Sequence, residues 1–201
     1  MIDDLKKKFG PKCSAINVNG CYSSIQIPFN KMKFCEAVNY SFNTPVRINN
    51  SNLGCPGARW KMGFDKNSEK LAKFISKNTH IPVSFITEAF NQITTLNKDI
   101  NQINLGITNE MEEITPPDLY IIYIQPARIT EILHLFARHN MQASIPPYCL
   151  LSVCGNVFVN SYTNQHVSIS FGCPESRRYG GINKNEVVLG VPGSLIKYLL
   201  N

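Results

Sequence analysis

Apolar residues recur along this chain with two different periods, and together they predict a sheet flanked by helices. Spacing of three or four residues between apolar positions is typical of a helix with one buried face, and alternation or short continuous runs are typical of strands. The predicted helices are Ile2–Phe9, residues 30–40 with Asn30 as N-cap, 68–77, 83–96, the segment that begins at Pro126, and 192–199. The predicted strands are residues 14–18, 24–27, a segment that begins at Val46, Leu119–Ile124, 167–171 and 186–191.

The clearest single signal is Leu119–Ile124, a continuous apolar run bounded by prolines, as expected of a strand buried on both faces. A helix follows it directly, so this part of the chain is a strand-to-helix unit. Asn19-Gly20 indicates a hairpin turn between the first two strands, and the polar stretch 97–115 indicates a loop. We therefore expect an α/β or α+β fold, with a mixed sheet flanked by helices in a single domain over residues 1–201.

Composition narrows the class of protein without giving its function. A chain of 201 residues with 43% hydrophobic and 17% charged residues is expected to fold, and its apolar runs are too short to cross a membrane. Met1 is followed by Asp3, Asp4 and three lysines rather than by a signal peptide, which favours a cytoplasmic location. The net charge of +6 favours acidic partners, and because the basic residues are scattered, nucleic acid is not a favoured partner.

Seven cysteines carry most of the candidate chemistry. Their odd number and the missing export signal argue against a disulfide scaffold, so the thiols are expected to stay free, bind a metal or react. Cys35 lies in a predicted helix, Cys55 and Cys173 each precede a proline in a glycine-containing turn, and Cys154 lies at the entrance of a loop. Such turns can donate backbone N–H groups to a metal–sulfur centre. No Cys-x-x-Cys pair is present, so small buried hydrophobic cysteines remain an alternative.

Several stretches of the chain resemble a family of uncharacterised bacterial and archaeal proteins, the domain of unknown function 169 family. The matching segments are residues 34–38, 55–59, 119–126, 169–173 and 185–192, together with Cys154. The resemblance implies that four cysteines form a recurring set, whereas Cys13, Cys21 and Cys149 lie outside it. These four, the number that a [4Fe–4S] cluster needs, are Cys35, Cys55, Cys154 and Cys173. A role in anaerobic redox or sulfur metabolism is then expected, with zinc as the alternative metal.

Arginines near two of these cysteines lead to a competing hypothesis. Arg59 follows Cys55 closely, and Arg177 and Arg178 follow Cys173. Guanidinium groups there would offset thiolate charge or hold a small anionic ligand, in which case the protein is a non-redox binding module. A thiol-dependent enzyme that uses one cysteine is a third hypothesis, with no catalytic residue identified. The expected partners are a redox protein or an anionic small molecule, and a homo-oligomer is left open.

Overall fold

The computed structural model describes residues 1–28, 30–66, 68–96, 99–145 and 149–200. In this part of the chain seven strands form one sheet: β1 (Cys13–Val18), β2 (Val46–Asn49), β3 (Gln102–Leu105), β4 (Leu119–Ile124), β5 (Ala143–Ser144), β6 (Val167–Ser170) and β7 (Val187–Pro192). The α-helices are α1 (Ile2–Phe9), α2 (Phe34–Ser41), α3 (Pro56–Lys61), α4 (Ser68–Thr79), α5 (Val83–Gln92), α6 (Asn109–Ile114), α7 (Ile129–Arg138), α8 (Asn160–Asn164), α9 (Pro174–Tyr179) and α10 (Lys197–Leu200). A π-helix spans Ser152–Val159.

The sheet is open and mixed, in the order β2-β3-β1-β4-β7-β6-β5. Every neighbouring pair is antiparallel except β5 and β6, which run parallel. The predicted strand β4 lies at the centre, where Ile122 pairs with Cys13 on one side and with Leu189 on the other. All six of its residues are buried, because helices cover both faces of the sheet. The fold is therefore α/β.

Each face of the sheet carries its own hydrophobic layer. On the first face, Leu119, Ile121 and Tyr123 of β4 pack with residues of α2, α3, α4, α5 and the π-helix. On the second face, the alternate residues of β4 pack with residues of α1, α7 and α10. Cys35 and Cys154 belong to the first layer and Cys55 packs against it, whereas Cys13 belongs to the second. Three of the four predicted ligands thus lie on the same side of the sheet.

Two predictions about the first hundred residues are wrong. Residues 24–27 form no strand beyond an isolated bridge between Gln26 and Val46, and the predicted hairpin at Asn19 does not form. Instead, Asn19 takes a positive φ of 62° and its N–H donates to Gln102 of β3. The stretch 97–115 is also more than a loop, since its described part contains β3 and α6. Residues 97 and 98 lie outside the described residues.

Several helix boundaries differ from the predicted ones. α2 begins at Phe34 rather than after Asn30, because the N–H of Lys33 is bound by the Glu36 carboxylate at 3.1 Å in a capping arrangement. α5 ends at Gln92. Pro192 ends β7 instead of opening the last helix, since Gly193 still donates to the carbonyl of Asp118 beside β4. None of the helices in the described ranges has both the length and the apolar character that a membrane crossing requires.

Candidate metal centre

Cys35 is placed by the contact between α2 and α9. It lies in the first turn of α2, is buried, and its thiol donates to the carbonyl of Glu175 at 3.8 Å. Gly180 ends α9 directly against it: a Cβ at position 180 would lie 3.0 Å from the Cys35 Cβ and 2.5 Å from the carbonyl oxygen of Ser176. A residue without a side chain is what lets the end of α9 approach Cys35 so closely.

Cys173 is the N-cap residue of α9 and is half-buried. Its sulfur accepts the N–H of Ser176 at 3.4 Å, and its own N–H donates to the Ser176 hydroxyl at 2.8 Å. Pro174 occupies the first helical position, where its missing N–H costs nothing. The Cys-Pro sequence therefore starts a helix here and fixes the sulfur at its beginning.

Cys55 and Cys154 are brought together by a second close approach. Cys55 is the N-cap residue of α3, followed by Pro56. A Cβ at Gly57 would lie 2.3 Å from a methyl group of Leu151, so the start of α3 packs tightly against the start of the π-helix. Cys154 lies inside this π-helix and is 7% exposed, rather than at the predicted loop entrance. A π-helix is rare and is frequently found at functional sites.

The pKa values of the two thiols in this pair shift in opposite directions. Cys154 donates a hydrogen bond to Cys55, which lowers the pKa of Cys55 to about 6, and the backbone N–H groups of Gly57 and Ala58 and the Lys33 ammonium add to this effect against burial. The pKa of Cys154 is raised, because it donates that bond, is buried, and faces the negative charge of the other thiolates. The hydrogen bond between the two sulfurs therefore favours ionisation of Cys55 over ionisation of Cys154.

The charges of the predicted ligands act on Cys35 and on Cys154. Burial raises the pKa of Cys35 to about 12, and the negative charges of Cys55 and Cys173 contribute to the rise. Cys154 responds to the charges of the same three cysteines. The structure thus brings together Cys35, Cys55, Cys154 and Cys173, which are distant in sequence. Within the described residues, however, no three His, Cys, Asp or Glu side chains have the arrangement of a metal-ion site.

The remaining cysteines lie elsewhere. Cys13 points into the second hydrophobic layer, where burial raises its pKa to about 12, and Cys21 and Cys149 are exposed. All seven cysteines are free thiols. The resemblance to a family set four cysteines apart from the other three. The positions of all seven in the structure are consistent with this grouping.

Tyr123 borders the same group of cysteines, and the sequence analysis did not identify it. Its hydroxyl is buried and has no hydrogen-bond partner among the described residues. Burial raises the pKa of Tyr123, and the charges of Cys35, Glu186 and Cys173 contribute to the rise. Two tyrosines in an otherwise aliphatic strand were the available signal, because a buried phenol normally needs a partner.

Lys61, at the end of α3, is a second functional candidate that the sequence analysis missed. It is 1% exposed, and its ammonium donates to the carbonyls of Phe90 at 3.0 Å and Ile93 at 2.5 Å and contacts the Thr95 hydroxyl at 3.1 Å. No carboxylate in the described part of the chain pairs with it. Burial lowers the pKa of Lys61 to about 8, and the negative charge of Cys154 partly opposes this shift. Lys61 thus places positive charge beside the thiols.

The three predicted arginines make their polar contacts within the chain. Arg59 forms a two-pronged ion pair with Asp65, at 2.7 and 3.1 Å, and also binds Asn50. Arg177 donates to the carbonyls of Asn183 and Phe171. Arg178 lies over the ring of Tyr179, with 5.2 Å between the guanidinium carbon and the ring centroid. Their part in holding an anionic ligand stays a prediction.

Comparisons with known proteins identify the family and no closer relative. The searches of curated proteins and of solved structures returned no match. The sequence profile of DUF169, described as "Uncharacterised ArCR", matches residues 4–201. This match covers almost the whole chain, including all four cysteines of the candidate centre. The chain therefore belongs to the domain of unknown function 169 family.

Proposed function

We propose that this protein binds an iron–sulfur cluster through Cys35, Cys55, Cys154 and Cys173 and works in anaerobic redox or sulfur chemistry. The supporting observation is that the charges of Cys55 and Cys173 act on Cys35, and those of all three act on Cys154, in one largely buried region. Once Cys55 is ionised, its charge raises the pKa of Cys35 and of Cys154. Four thiolates cannot accumulate there without cations, because uncompensated buried charge is very costly. Iron ions would supply the compensating charge.

The residues around the thiols fit such a group. Backbone N–H groups act on three of the four sulfurs: Glu36 on Cys35, Gly57 and Ala58 on Cys55, and Ser176 on Cys173. Hydrogen bonds to sulfur, together with burial, are the usual means by which a protein sets the potential of a cluster. The unpartnered hydroxyl of Tyr123 would find an acceptor in a cluster sulfur. When bound, the cluster would supply a site for one-electron transfer.

The protein's own side chains would then have separate roles. Lys61, within the first hydrophobic layer, and Lys33, near the surface, both place positive charge near the thiols. Leu151, Phe34 and Phe158 are buried in the layer that contains Cys35 and Cys154, which excludes water from that side. Cys55 and Cys173 remain partly exposed. The buried side would protect the cluster, and the exposed side would give access to a redox partner or substrate.

Zinc is the competing metal, because a closed site of four cysteines also suits it. A tetrahedral zinc ion would hold its four sulfurs close together, each at about 2.3 Å from the metal. Within the described residues no three side chains have the arrangement of a single-ion site, so the metal content of the protein decides between the two metals.

Metal analysis of oxygen-protected protein tests the proposal. We expect a brown protein with about four iron and four sulfide per chain and a broad visible absorption that bleaches on reduction with dithionite. The same sample is analysed for zinc. One zinc per chain and no iron would assign the alternative metal. A colourless preparation without either metal, even after anaerobic reconstitution with iron and sulfide, would overturn the proposal.

The Tyr123→Phe variant should have different effects in the metal-free protein and in the loaded protein, which holds the cluster. In the metal-free protein the hydroxyl is unpartnered, so its removal is expected to leave stability unchanged or to raise it by about 1 kcal/mol. In the loaded protein we expect a lower cluster reduction potential, because a hydrogen bond to sulfur that favours the reduced form is lost. Chemical denaturation and potentiometric titration measure the two effects. A marked loss of stability in the metal-free variant would contradict an unpartnered hydroxyl.

A further inference from the structure

The partly exposed thiols open onto a surface whose composition suits a particular kind of partner. This surface, called the thiol face below, consists of Gly54, Cys55, Pro56, Phe171, Cys173 and Pro174, each of them at least partly exposed. Phe171 is 48% exposed although it directly follows the buried strand β6. Large aromatic side chains that remain exposed beside small and apolar residues are typical of protein contact sites.

Lys33 connects the two halves of the thiol face. Its ammonium forms an ion pair with Glu175, which follows Pro174, and lies over the ring of Tyr179 at 4.0 Å from the centroid. The same ammonium contributes to the low pKa of Cys55. The turn that contains Cys55 and the start of α9 therefore lie next to each other on the surface.

Positive charge surrounds the thiol face. Besides Lys33, an exposed Lys31 lies against Gly54, where a Cβ would be 3.1 Å from the Lys31 Cβ. Arg177 packs on Gly172 and Arg178 is exposed, and neither forms an ion pair with a carboxylate in the described residues. Two nearby carboxylates carry negative charge: Glu175, which pairs with Lys33, and Glu36, which caps the start of α2. The four basic side chains named here outnumber these two, so the net charge of the surface is positive.

We propose that the thiol face is the docking surface for a small acidic electron-carrier protein, an inference that rests on the proposed cluster. Electrons would have to enter by this face, because the opposite side of the thiols is closed by the sheet and the first hydrophobic layer. Electron-transfer contacts are small and transient, and they combine an apolar centre near the cofactor with complementary charges that steer the encounter. Here Phe171 supplies the centre, and the lysines and arginines supply the charge.

Binding of a strongly acidic flavodoxin, followed by the fluorescence of its flavin or by calorimetry, tests the surface without requiring the cluster. At low ionic strength we expect measurable binding that weakens steeply as salt is added, since the Debye length falls to about 10 Å at 0.1 M. The Lys31→Glu/Arg178→Glu double variant should bind about tenfold more weakly at low salt. Phe171→Ser should also weaken binding while keeping the salt dependence of the parent protein.

A matched control carries the same change in net charge on the other side of the sheet. Lys7 and Lys197 are exposed on α1 and α10, and Lys7→Glu/Lys197→Glu should reduce flavodoxin affinity less than about twofold. Equal weakening in both double variants would show attraction by net charge alone and overturn the thiol face as a docking surface. Absence of flavodoxin binding to the parent protein at low salt would overturn it as well.

Iron analysis on the same samples keeps the two proposals apart. If iron is present and flavodoxin does not bind, the docking surface is wrong and the cluster proposal stands. If flavodoxin binds at the thiol face but reconstituted protein holds no iron, the cluster is wrong and the surface stands as an acidic-protein contact. If both hold, stopped-flow mixing should show that reduced flavodoxin reduces the cluster. This reaction should be slower in the Lys31→Glu/Arg178→Glu variant, with dithionite reduction unchanged.

Discussion

Changing Cys154 to serine or alanine will leave the anaerobically reconstituted protein with little or no iron. Cys154 is buried, and the charges of the three other thiols act on it, so its loss removes a ligand from the inner side of the group. Serine is a poor substitute because soft thiolate ligands select iron–sulfur clusters. Iron and sulfide content and the visible spectrum are the measurements. We expect the same loss for Cys55→Ala and Cys173→Ala.

Cys13 offers a matched control for this prediction. It is also a buried cysteine with a raised pKa, yet it points into the hydrophobic layer on the other face of the sheet. Cys13→Ser should therefore retain the full iron content even if it lowers thermal stability. Equal iron loss in Cys13→Ser and Cys154→Ser would show that the effect reflects damage to the fold and not the loss of a ligand.

Changing Lys61 to methionine will weaken the fold of the metal-free, reduced protein, and more strongly at pH 9.5 than at pH 7. Methionine keeps most of the side-chain volume but leaves the carbonyls of Phe90 and Ile93 without their donor. At pH 7 this loss is partly offset, because the parent protein has to bury an ammonium. At pH 9.5 the folded parent holds Lys61 neutral, and the offset disappears.

The sign and size of the pH effect follow from the pKa of Lys61. It is lowered from 10.5 to about 8 in the folded protein, so between these values the unfolded chain binds more protons and the unfolding free energy rises with pH. The stability gap between parent and Lys61→Met should widen by about 2 kcal/mol from pH 7 to pH 9.5. Denaturant unfolding of both proteins at the two pH values measures this gap.

An exposed lysine provides the comparison. Lys73 on α4 pairs only with Glu69 on its own helix, and Lys73→Met should change the unfolding free energy by less than about 0.5 kcal/mol at either pH. A gap for Lys61→Met that stays constant or narrows with pH would mean that the ammonium is not desolvated as the structure indicates.

Local signals in the sequence predicted the centre of the sheet and missed β3, which lies next to the edge strand β2. The strand β4 is apolar at every position, a pattern that fits only a strand or helix covered on all sides. The prolines on either side favoured a strand over a helix. β3 was taken for loop because it contains polar residues. Its Asn104 is fully buried, but the side chain accepts from Arg47 at 2.8 Å and donates to the carbonyl of Gly20 at 2.8 Å. Such partners are tertiary and leave no periodic pattern.

The candidate site was likewise predicted only in part from the sequence. The identity of its four cysteines was available from a resemblance to a family, and their proximity was not, because close approaches at Gly57 and Gly180 join segments far apart in the chain. The sequence offered a weak signal for Tyr123, a tyrosine in an apolar strand, and none for Lys61. One is defined by a missing hydrogen-bond partner and the other by complete burial, and both are properties of the surroundings rather than of the residue.

The direction of the Cys154 side chain is set by the unusual winding of the π-helix. Each of its hydrogen-bonded loops contains one more residue than in an α-helix, because its hydrogen bonds join residues five apart instead of four. Shortening this segment by a single residue would permit ordinary α-helical winding and rotate the sulfur away from Cys55 without altering any cysteine. The metal-binding capacity of the chain would then depend on the number of residues between Leu151 and Asn160 as strictly as on the chemistry of its thiols.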